Sequence, residues 1–92
     1  MTELKNELKR LENKHKELLK YRRFIRRNCD ILVLESRKLG QEEYKGVLIG
    51  LTNKIKLSSQ AIKELKAKIC PQNVIKYNRV LSEVEYIMNI LK

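Results

Sequence analysis

From Leu4 onward the chain steps by fours and threes through five heptads without a slip: Leu4, Leu8, Leu11, His15, Leu18, Arg22, Ile25, Cys29, Leu32, Ser36, Leu39. One sublattice, heptad position d, is wholly aliphatic: Leu4, Leu11, Leu18, Ile25, Leu32 and Leu39. The other, position a, is mixed: Leu8, His15, Arg22, Cys29 and Ser36. Apolar residues at this spacing fall on one side of an α-helix, and a stripe this long needs other helices to cover it. The pattern predicts a first helix over 3–39, roughly 57 Å long at the helical rise. Thr2 is placed to cap its start and Gly40 to end it in a left-handed conformation.

A second series follows the glycine: Tyr44, Leu48, Leu51, Ile55, Ser58, Ile62, Leu65 and Ile69. It predicts a helix over 41–69, closed by Cys70-Pro71 because proline restricts the residue before it and cannot continue a helix. A third series, Val74, Tyr77, Leu81, Val84, Met88 and Leu91, predicts a helix over 73–91 with Asn73 as its cap. Val80 and Ile87 widen that stripe, as expected of a helix docked on two neighbours.

The expected fold is all-α: a three-helix antiparallel bundle, one domain over 1–92, with a long heptad-patterned first helix. A turn at Gly40 would set residues whose numbers sum to about 80 opposite each other, with Cys29 near Leu51. A competing reading pairs the β-branched stretches around 31–34 and 47–51 as a short hairpin, helped by Gly46 and Gly50.

Composition narrows the chemistry. The chain has 21 Lys+Arg against 11 Asp+Glu, a net charge of +10, so polyanions or acidic proteins are the natural partners. The longest apolar runs, 31–34 and 47–51, are far too short to span a membrane. No signal-peptide pattern opens the sequence, and its two cysteines read as free thiols in a reducing compartment, so the expected location is the cytoplasm.

No catalytic set, metal site or cofactor is expected. His15 is the only histidine, and no cluster of His, Cys, Asp and Glu supplies the several ligands a metal needs. A polar residue at an a position more often fixes the pairing of helices. Helical bundles can hold anionic substrates with Arg and Lys from long helices. Arg10, Arg27 and Lys38 are widely spaced on the first helix, but the heptad frame does not place them in the inward register this needs. A small enzyme is therefore the third reading.

The basic residues say more. Positions b and f of the first helix, opposite its apolar stripe, hold Asn6, Lys9, Asn13, Lys16, Lys20, Arg23, Arg27, Asp30, Leu34 and Arg37. Lys9, Lys16, Lys20, Arg23, Arg27 and Arg37 make a positive ridge, while Glu3, Glu7, Glu12, Glu17 and Glu35 fall at c, e and g. Such a ridge suits phosphates, contacting a backbone without reading bases. The expected function is a small non-enzymatic regulator or adaptor that presents this face to nucleic acid. A protein-only assembly or inhibitor module is the runner-up. No helix-turn-helix, zinc-finger or RNP pattern accompanies the ridge.

Apolar residues gather near the first turn, and one face of each arm must remain unused within the hairpin. Ile31, Leu34, Val47 and Ile49 are thus the expected interface of an antiparallel, tip-to-tip homodimer.

Overall fold

Straight-chain and aliphatic residues fill the sequence between its few glycines and its one proline, and the backbone responds with three α-helices. The computed structural model describes residues 2–36 and 39–91. α1 spans Thr2–Glu35, α2 Gln41–Ala67 and α3 Pro71–Leu91. There is no strand among the described residues, and 31–35 and 41–51 are helical, so the hairpin alternative is wrong there.

The helices form a bundle. His15 of α1 meets Ser58 and Ser59 of α2, while Ile25 and Cys29 share a crevice with Leu48 and Thr52, so α1 and α2 run antiparallel. Ion pairs from Glu64 to Lys76 and from Lys54 to Glu83 set α2 antiparallel to α3. The interior is built from Leu11, Leu18 and Ile25 of α1, from Leu48, Leu51, Ile55, Ala61, Ile62 and Leu65 of α2, and from Tyr77, Leu81 and Val84 of α3. Val80 and Ile87 are half-buried. The molecule measures 48 × 19 × 17 Å, and its radius of gyration of 14.8 Å exceeds the roughly 12 Å of a compact chain this long.

Several local expectations need correction. α1 ends at Glu35 rather than 39, and it is broken at Asn28, whose backbone (φ −116°, ψ 15°) is not helical. The Asn28 amide donates to the Phe24 carbonyl at 2.8 Å, an alternative to the helical ladder that a short amide side chain offers its own backbone. Because α1 stops early, the pivot lies before Gly40, and His15 faces Ser58 rather than Leu65. Gly40 has φ −59° and precedes α2 as its cap instead of ending α1 in a left-handed turn. Thr2 is already the first helical residue of α1.

At the second turn α2 ends at Ala67, and Pro71 opens α3, where its missing N–H costs nothing. The Cys70 carbonyl accepts from the Asn73 and Val74 amides, so Cys70 occupies the capping place expected of Asn73. The Asn73 side chain instead donates to the Lys68 carbonyl, which the end of α2 leaves open, and to the Glu64 carbonyl, which also accepts from the Lys68 amide.

α3 lies mainly on α2 and only lightly on α1. Its end meets α1 around Lys14, Leu18 and Tyr21, where Glu85, Met88 and Asn89 face them across an open groove. The half of the hairpin nearest the first turn is a two-helix tip.

Candidate nucleic-acid-binding face and the buried histidine

The apolar stripe of α1 is consumed inside the chain, and this fixes what its other side presents. With Leu11, Leu18 and Ile25 buried, the b and f positions point to solvent: Lys9, Lys16, Lys20, Arg23 and Arg27 are all exposed. These five cations lie over 19 residues, about 27 Å along the straight part of α1 before the break at Asn28. Arg37, the sixth cation of the expected ridge, lies outside the described residues.

The ion pairs sit elsewhere. Arg10 pairs with Glu7 on α1, Lys14 with Glu85, Lys54 with Glu83, and Lys76 with Glu64. Among the described residues no carboxylate engages any of the five ridge cations. Arg10 holds the Glu7 carboxyl below its usual range by hydrogen bond and charge, and Lys76 does the same for Glu64.

Two aromatic rings stand beside the densest part of the ridge. Phe24 is 50% exposed, between Lys20 and Arg27 along the helix, and Tyr21 lies nearly parallel to it with ring centroids 6.3 Å apart. Tyr21 is half-buried, which pushes its hydroxyl pKa up. The charge pattern revealed this stretch in the sequence; the exposure of Phe24, at heptad position c, was not singled out.

At the tip, Ile31 (55% exposed), Leu34 (71%) and Ile49 (51%) are uncovered, while Val47 is half-buried. The four expected interface residues therefore do not share one environment, and Val47 is the least exposed of them. Ile75, Tyr86 and Ile90 are further exposed apolar residues on the outer side of α3. Their positions lie off the third apolar series, which is why periodicity did not mark them.

Inside the bundle His15 joins all three helices. Its Nδ1 is 3.2 Å from the Tyr77 hydroxyl of α3, and its Nε2 is 3.3 Å from Ser59 Oγ of α2. Tyr77 is fully buried and its hydroxyl hydrogen needs an acceptor, which makes Nδ1 the bare nitrogen and Nε2 the protonated one. Ser58 Oγ approaches Nδ1 at 3.4 Å, but its hydrogen goes to the Ile55 carbonyl at 2.6 Å. Burial, helped by the nearby Lys66 charge, holds the His15 pKa below its ordinary value. Burial also lifts that of Tyr77 to about 12. This arrangement keeps a neutral imidazole and pairs helices; it leaves no open position for a substrate.

No group of three His, Cys, Asp or Glu residues is placed to hold a metal among the described residues. Cys29 and Cys70 are both unpaired and half-buried. Arg10 and Arg27 both lie exposed on the surface, and Lys38 lies outside the described residues. No helix among the described residues is long and apolar enough to cross a membrane. No protein-family model, curated protein or solved structure matches the chain.

Proposed function

We propose that this chain is a small, non-enzymatic helical binding protein of the cytoplasm that lays the outer face of α1 on nucleic acid without reading its sequence. One observation carries the reading: Lys9, Lys16, Lys20, Arg23 and Arg27 form an exposed line free of carboxylate partners, although the helix that bears them also carries acids. Like charges so aligned repel one another and gain from a polyanion whose counterions they displace. Two unpaired thiols favour the reducing compartment.

The test is a salt titration of binding to duplex and single-stranded probes. Affinity should fall steeply with salt, with a logarithmic slope no larger than about 4.5 on duplex and about 3.5 on single strands for five phosphate contacts. Lys20→Glu, Arg23→Glu and Arg27→Glu together should abolish binding while leaving the helical circular dichroism intact. Absence of salt-sensitive binding by the native chain would end this reading.

The runner-up is a protein-only assembly or inhibitor module, favoured by the uncovered Ile31, Leu34 and Ile49. Exposed apolar clusters of this kind mark interfaces. The homodimer belongs to either reading. Burial of the α1 stripe inside the chain favours the tip over a parallel coil along α1 as its site.

A further inference from the structure

The ridge is not purely electrostatic, and the exception is Phe24. A large aromatic ring half open to water is costly to keep, since burying it would remove apolar surface from solvent. Phe24 sits one helical turn after Lys20 and one before Arg27, with Arg23 adjacent. Tyr21 backs it from the side of the core, nearly parallel at 20°. Directly after this cluster, the Asn28 side chain ties to the Phe24 carbonyl where the helix breaks. The ring is thus held on a straight rod, ringed by cations, with its exposed part facing the same solvent as the ridge.

Cations alone serve duplex and single strands alike. An exposed aromatic ring serves only a strand whose base faces are free, because a duplex stacks its bases inside. We infer, resting on the nucleic-acid reading above, that the ligand is single-stranded: Lys16, Lys20, Arg23 and Arg27 hold successive phosphates while one base stacks on Phe24. No residue near Phe24 reads a base edge in a fixed way, so both DNA and RNA strands are accommodated.

The experiment measures fluorescence anisotropy of labelled oligothymidylate and oligouridylate of about ten nucleotides, and of a duplex of equal length, at low salt. The native chain should bind both single strands more tightly than the duplex. Phe24→Leu keeps an apolar side chain but removes the ring; it should weaken single-strand binding about tenfold and leave duplex binding and the salt slope unchanged. Phe24→Trp should retain the preference. As the sole tryptophan in the chain, its emission should be quenched by either strand.

Equal affinities for duplex and single strands, with Phe24→Leu without effect, would overturn the stacking role while sparing the salt-dependent ridge. An equal loss on all probes would also overturn it, as would an unquenched Phe24→Trp that binds. Binding of no probe would overturn both readings and leave the ridge to an acidic protein surface.

Discussion

Tyr77 on α3 donates its buried hydroxyl hydrogen to Nδ1 of His15 on α1, 3.2 Å away, and so links the two helices that otherwise touch least. This bond lies in a core of aliphatic side chains, where an orphaned polar atom is expensive. His15→Leu should therefore destabilise the fold by about 1–3 kcal/mol, chiefly by stranding the Tyr77 hydroxyl. Tyr77→Phe added to it should recover most of that loss, because both partners are then apolar. Chemical denaturation of the two single variants and the double variant measures the coupling. Additive losses would show that the contact contributes nothing.

Acid should loosen the same junction. The folded pKa of His15 is held below its ordinary 6.5, so as pH falls past 6.5 the unfolded chain takes up a proton that the folded chain refuses. Stability is then full above 6.5 and declines as pH falls toward the lower folded value. Glu7 and Glu64, whose carboxyls are held low, add losses only at more acidic pH, below their ordinary 4.5. Melting temperature followed downward from pH 7 should show the decline, and His15→Gln should flatten it just below 6.5.

The tip makes a separate prediction. If Ile31, Leu34 and Ile49 form a self-interface, light scattering after size exclusion should give twice the 11.0 kDa chain mass. Leu34→Glu, at the most exposed of the three, should give monomer with unchanged helicity. A native monomer at tens of micromolar would remove the dimer.

Arg22 offers a stabilising change. Its Nε is buried without a hydrogen-bond partner, among the stacked turns that bury Leu18 and Ile25. Arg22→Met keeps a flexible stem and removes the unpaired N–H, and should raise stability by about 1 kcal/mol. Thermal unfolding reads this directly. A lower melting temperature would mean that the guanidinium makes a contact worth more than its buried nitrogen costs.

The sequence was informative where periodicity decides and silent where single side chains decide. Three helices, the burial of Leu11, Leu18 and Ile25, and the outward placement of Lys9 through Arg27 follow from spacing alone. The helix ends do not. Asn73 is a good capping residue by type, yet its amide closes the preceding helix, because only the folded turn brings Glu64 and Lys68 carbonyls within reach. Asn28 fits the first heptad frame without a slip, and nothing in that frame shows its side chain competing for the Phe24 carbonyl. His15 was legible as a pairing residue, but Tyr77 and Ser59 as its partners depend on a register that the pivot before Gly40 sets.

The break at Asn28 divides α1 into two stretches with separate hydrogen-bond ladders. Cys29 packs against the start of α2, beyond the α3 contact around Tyr21, whereas the stretch from Lys14 to Tyr21 is clamped also by the end of α3. Opening of the tip therefore needs no disruption of the turns that carry Lys16, Lys20 and Arg23. In amide exchange the tip should behave as its own cooperative unit, trading protons well before the clamped segment. A second molecule gripping that tip would be felt first as slower exchange there, while the charged rod beside it stays unchanged.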